Sequence, residues 1–264
     1  MKSNQTLKII LLVFLSFLAY YILFINFKPA IKVWLDSLTK QGLTSYILTY
    51  LIIGTPIFIG TYLINWKTNV FKSLGLSSSI LPPMWTSLLF TLPMFIGGLL
   101  FFKLNQEIDI ENLIAGTIVA GFMEELYFRG FLFGQLFRKT NLGFIPSIIC
   151  GALIFAFGHL YQSQDVGELI GIFMITFSGA VFFAWLYVEW NYNLWVPILT
   201  HTLMNLSWSL FQVDNSALGN MTANIFRGLT ILTAIIFTIL YKKNRNEKLT
   251  INRNTLMLKR KSGI

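Results

Sequence analysis

Apolar residues in this chain come in long unbroken blocks separated by short polar turns. Ile9 to Phe27 runs 19 residues without a charge, longer than the apolar core of a signal peptide, and Lys28-Pro29 rather than a small-x-small cleavage site follows it. Similar blocks cover Leu43 to Ile64, Met84 to Phe102, Leu113 to Phe137, Gly143 to Tyr161, Leu169 to Val188, Leu194 to Val213 and Ala223 to Tyr241. Each is long enough to cross a hydrocarbon core as a helix, which needs about 20 residues. The pattern predicts an all-α, polytopic membrane protein of about eight transmembrane helices. No segment shows the ten-residue alternation of a membrane β-barrel.

Local signals refine the elements. Pro56 predicts a kink in the second block and Pro93 an interruption in the third. Pro197 falls in the first turn of the seventh, where proline is tolerated. Asn112 is a candidate cap for the fourth. The chain divides into a three-helix region (1–111), a core (112–213), a last helix (214–241) and a basic tail (242–264), the tail expected to be partly disordered.

Composition agrees: of 264 residues, 55% are hydrophobic and only 12% charged, about half the share in soluble domains. Mean hydropathy is +0.66. The net charge of +9 is uneven, because the tail holds eight Lys/Arg against Glu247 alone. A basic flank beside a span signals the cytoplasmic side, and also suits anionic lipid. Eight spans then put both termini in the cytoplasm of a multi-pass protein of the cell membrane. Lys2, Lys8 and the Arg138-Lys139 turn agree, whereas Lys28, Lys32 and Lys40, expected in the first outer loop, do not. No folded module accompanies the charge, so no nucleic-acid partner is expected. A single cysteine, Cys150, excludes an intrachain disulfide.

The fourth block departs from the apolar rule. It carries Glu124, Glu125 and Arg129, and a charge inside hydrocarbon costs about 2.5–3.5 kcal/mol on insertion scales. Residues four apart share a helix face and adjacent ones diverge by about 100°. Glu125 is therefore the expected partner of Arg129, and Glu124 is left to act elsewhere. The chain's two histidines, His159 and His201, both fall in later blocks, and Asn205 shares a face with His201. At about 1.5 Å per residue, the four groups sit at loosely matching depths. They suit hydrolysis. Glu124, assisted by a neutral imidazole, takes a proton from water, while His201 and Asn205 stabilise an oxyanion. Alternatively, one Glu and two His hold a zinc ion with an open position. Spacing does not choose between these. The blander reading is an ion pair that fixes helix register, with packing histidines and an interhelical asparagine.

Glu124-Glu125-x-x-x-Arg129, Phe155-x-x-x-His159 and His201-x-x-x-Asn205, in that order, resemble the three motifs of the CPBP (CAAX protease and bacteriocin-processing, or Abi) intramembrane proteases. The resemblance covers Leu113 to Phe211. It implies an embedded peptidase site, with Glu124 as base working with His159, and with His201 and Asn205 as the oxyanion site. It implies a membrane-associated peptide or protein as substrate, in bacteria a leader, signal or bacteriocin-type peptide. Members are described both as zinc metalloproteases and as metal-free glutamate proteases. Two other classes compete: a non-catalytic immunity or scaffold protein of the same fold, and a proton-coupled transporter. A transporter would carry charges on several helices around a broken pair; here the deep charges sit on one block.

Overall fold

A computed structural model describes residues 3–211 and 213–258. Lys2 and the basic residues Lys259, Arg260 and Lys261 lie outside the described residues. The chain is helical, with two isolated β-bridges and no named strand among the described residues. The helices are α1 (Ser3–Thr39), α2 (Gly42–Ile53), α3 (Thr55–Ile64), the short α4 (Val70–Leu74), α5 (Leu81–Phe101), and α6 (110–139). They continue as α7 (Phe144–Phe157), α8 (Val166–Glu189), α9 (Trp195–Leu210) and α10 (Met221–Asn244).

Among the described residues, five helices are long and apolar enough to cross a bilayer. The α2–α3 pair, bent by 42°, makes a sixth. The other two rods that cover expected spans are α6, charged at its centre, and α9, only 16 residues long. The chain is thus an all-α, multi-pass membrane protein; among the described residues, length and apolarity assign five or six of the eight expected spans.

Several local expectations need correction. Helix α1 does not stop at Phe27. It continues through Pro29 to Thr39, so Lys28 and Lys32 lie on the helix and not in a loop. Its 37 residues extend about 55 Å, well beyond the roughly 30 Å core. Pro93 does not interrupt α5. The break near Pro56 is present, at Gly54. The start of α6 is capped by Asp109, which accepts from the Glu111 N–H at 3.0 Å, while Asn112 donates to Asp109 at 2.7 Å.

The tail also differs from expectation. The buried carboxylate of Glu189 accepts from Lys242 Nζ at 2.5 Å and from the backbone N–H groups of Thr250 and Ile251 at 3.0 and 2.8 Å. Beyond this clamp, the carbonyls of Thr255, Leu256 and Met257 accept from the N–H groups of Phe144, Ile145 and Gly143. These are the donors that the start of α7 leaves unpaired. The tail therefore packs as a strap across that helix end, on the same side of the molecule as the Arg138-Lys139 turn.

Helix α6 is the central rod. Nearly every side chain from Glu125 to Phe137 is buried, as expected for a helix apolar on all sides. Rings from α1, α6 and α7 interlock around it, as in Phe17–Phe128 and Phe128–Phe155. The outer faces of α1, α5 and α10 expose large apolar residues such as Leu15, Leu99 and Ile236, which suits contact with lipid.

Candidate active site

Two stretches of α6, Ala115–Val119 and Glu125–Phe133, are wound as π-helix. Such winding is rare and recurs at functional sites. It leaves the two adjacent glutamates in different surroundings. The Glu125 side chain is fully buried, whereas that of Glu124 is 26% exposed and opens into a cavity.

Glu125 holds two partners. Its Oε1 lies 3.2 Å from Arg129 Nη1 and 2.8 Å from His201 Nδ1. The pairing of Glu125 with Arg129 is the one that helix spacing predicts; the bond to His201, 76 residues away, is not foreseeable from spacing. Arg129 is buried between two rings, 4.7 Å from the Phe155 centroid and 5.5 Å from that of Phe183. Its three nitrogens and Glu125 Oε2 find no hydrogen-bond geometry in this packing. The guanidinium is thus held by charge and by aromatic faces. The His201 ring stacks on Phe183 at 4.8 Å, with 16° between planes.

The bond to Glu125 sets the chemistry of His201. An ionised carboxylate only accepts, so Nδ1 must carry the proton. In the neutral ring, Nε2 is then an acceptor. That nitrogen faces Glu124, with 3.9 Å between Nε2 and Oε2. The gap is too long for a direct hydrogen bond and short enough for a water to contact both.

Helix packing produces this approach. A Cβ at Gly121 would lie 2.8 Å from Thr202 Oγ1 and 3.2 Å from its backbone N, so only glycine lets α6 and α9 come this close. On the other side of α9, the Thr200 and Ser87 hydroxyls are 2.9 Å apart and tie the helix to α5.

The other expected residues line the same cavity, of about 1830 Å³. His159 sits just after α7, its Nδ1 2.7 Å from the Phe155 carbonyl, which leaves Nε2 as the free acceptor of the neutral ring. It does not come within 4.0 Å of either glutamate; the imidazole next to Glu124 is that of His201. Asn205 donates to the Gly116 carbonyl at 3.3 Å and keeps a second amide proton free. Phe183 belongs to the site and was not foreseen, since nothing marks it among the phenylalanines of α8.

A zinc site needs three converging protein ligands. Among the described residues, no three His, Cys, Asp or Glu side chains form such a group. The residues as arranged do not fit a resident zinc.

Residues 106–207 match the family model described as type II CAAX prenyl endopeptidase Rce1-like. Over 105 residues, 39% of this chain, the sequence is 32% identical to a Bacillus subtilis (strain 168) protein named "Putative membrane peptidase YdiL". That match spans 37% of the relative's length. The family-model match covers the central region, which carries all six candidate site residues. The matched region is thus similar to the Rce1-like endopeptidases, and it carries the three motifs, each on its own helix or helix end around one cavity.

Proposed function

We propose that this protein is an intramembrane endopeptidase that cuts a peptide bond in a membrane-associated peptide or protein. The reading rests on one observation: a partly exposed carboxylate, Glu124, and the acceptor nitrogen of a carboxylate-oriented imidazole, His201, meet at 3.9 Å on the wall of a large cavity. Glu125 already holds the arginine, and Glu124, which a role in helix register alone would leave paired, is unpaired at close range and free to act as the base.

In this reading a water bridges Glu124 and His201. Glu124 takes one proton from it, and the oxygen bonds to the scissile carbonyl carbon. The oxyanion that forms accepts from the free amide proton of Asn205. When the C–N bond breaks, the proton held by Glu124 passes to the leaving nitrogen, giving a carboxylic acid and an amine. Glu125 keeps His201 in the required tautomer, and Arg129 supplies the counter-charge to Glu125. His159, which lines the same cavity, accepts a hydrogen bond from a further water through its free Nε2. The substrates that fit a bacterial setting are leader, signal or bacteriocin-type peptides. In this reading the basic tail lies on the cytoplasmic side, where its flank suits anionic lipid.

The test compares membrane-associated and secreted peptides from cells producing either the natural protein or Glu124→Gln at equal level. The expected result is a precursor that persists only with Glu124→Gln. Identical peptide profiles would favour the scaffold or immunity reading instead. Elemental analysis of the purified protein, with activity followed under chelation, tests the metal-free mechanism separately: stoichiometric zinc whose removal stops cleavage would replace it.

A further inference from the structure

The reaction cavity carries a cation that the hydrolytic steps do not use. Lys28, on α1, lines the same cavity as Glu124 and His201. Its ammonium sits in a cage of rings: 4.5 Å from the Phe24 centroid, 4.8 Å from Tyr50 and 5.6 Å from Tyr46. The cage is built from two helices. Phe24 lies one turn before Lys28 on α1, and Tyr46 and Tyr50 lie one turn apart on α2. Tyr50 Oη accepts one ammonium proton at 3.1 Å and is itself approached by Tyr46 Oη at 3.3 Å. Two protons of Nζ remain. Among the described residues, no carboxylate comes within 4.0 Å of it, although Glu124 lies within electrostatic reach.

A lysine whose only task is to escape the bilayer extends its flexible stem to the headgroups. Lys28 instead has its head fixed by aromatic faces and a hydroxyl, at the wall of a water-accessible cavity. The contrast with the cavity's other cation is informative. Arg227 gives Nη1 to Asn224 and Nη2 to the Ala217 carbonyl, and lies 4.3 Å over Trp208. Two of its five donors tie it to α10 and to the loop before it, and Trp208 covers one face of its plane. Lys28 has one donor given to Tyr50 and two turned free, its head already oriented by the rings around it.

We propose that Lys28 is a specificity-determining residue, whose caged ammonium receives a carboxylate of the substrate peptide. The inference rests on the peptidase reading and names what that site selects. The carboxylate comes from an acidic side chain or from the peptide's own C-terminus. Both offer the same chemistry, a planar anion that accepts charge-assisted hydrogen bonds.

The experiment profiles cleavage of a proteome-derived peptide mixture by the full-length protein in lipid nanodiscs. The natural protein, Lys28→Met, Lys28→Arg and Lys28→Glu are compared, with each mixture presented both with free and with amidated C-termini. The natural protein should favour peptides with a carboxylate at a fixed offset from the cut. If that preference is lost on amidation, the source is the C-terminus; if it survives, the source is Asp or Glu. Lys28→Met should lower kcat/KM for those peptides about 10- to 100-fold, through KM, and leave neutral peptides unchanged. Lys28→Arg should keep the preference, and Lys28→Glu should reverse it towards basic residues. A uniform fall in kcat across all peptides, or the same profile for Lys28→Met as for the natural protein, overturns the role of Lys28 and leaves the peptidase reading standing. A natural protein that cuts nothing overturns both. Melting temperatures of the four proteins separate lost recognition from lost folding.

Discussion

Among the described residues, two clusters of charge are buried, and they are built in opposite ways. At Glu189, one carboxylate receives a lysine ammonium and two backbone N–H groups, so both oxygens are used. At Glu125, one oxygen serves both Arg129 and His201, the other serves nothing, and the guanidinium leans on two rings. The first cluster closes on itself and pins the tail. The second opens through His201 and Glu124 into a cavity. A buried carboxylate that serves structure collects all the donors it can hold. The Glu125 cluster instead reaches solvent through His201 and Glu124, and the surrounding packing bears the cost of its unpaired groups.

The comparison breaks first at Glu124. Replacement by Gln should lower turnover about a hundred- to ten-thousand-fold, the range for a lost general base. Melting temperature should hardly move, because Glu124 makes no close ion pair. A purified, folded Glu124→Gln protein with full activity would remove the functional half of the contrast.

Glu125→Gln should cost both activity and stability. It strands Arg129, and stranding one partner of a buried pair costs about 3–5 kcal/mol. Denaturation in mild detergent measures the second effect, and peptide cleavage the first. Glu189→Gln should destabilise by about 3 kcal/mol, since Lys242 loses its counter-ion. Limited proteolysis should then cut within 245–258, while each surviving folded molecule keeps its turnover. If Glu189→Gln instead abolishes cleavage at unchanged stability, the strap serves catalysis and the two clusters are not opposites.

The smallest effect is a sharpening one. Tyr127→Phe removes a buried bond from Tyr127 Oη to the Tyr50 carbonyl, 2.7 Å long, at the α2–α3 bend. A loss of about 1 kcal/mol is expected in the same denaturation assay, the usual value of a neutral hydrogen bond.

Much of the site was legible beforehand because the lipid environment makes charge conspicuous. Glu124, Glu125 and Arg129 stand out in an apolar block, and two histidines in 264 residues leave few partners to choose from. Helix spacing alone pairs Glu125 with Arg129. The assignment of imidazoles was not legible. His159 and His201 are equivalent as letters, and depth along a helix says nothing about the rotation of one helix against another. Lys28 was misread for a related reason: proline after a lysine resembles a helix end, yet α1 continues past it.

The tail shows the same limit. A run rich in Lys and Asn lacks the apolar area that orders a segment, and its order here comes from one distant carboxylate and the unpaired donors of α7.

Hydropathy and residue type by themselves determined that this chain is helical, that it lives in a membrane, and which helix carries its deep charges. These properties depend on each residue's transfer energy and on neighbours within one turn. Only the tertiary structure decided that His201 faces Glu124, that Lys28 is caged at the cavity wall, and that the tail straps α7. Those outcomes depend on how closely rigid rods approach and at what rotation, as at the Gly121–Thr202 contact. They are sums over many weak interactions between residues far apart in the chain.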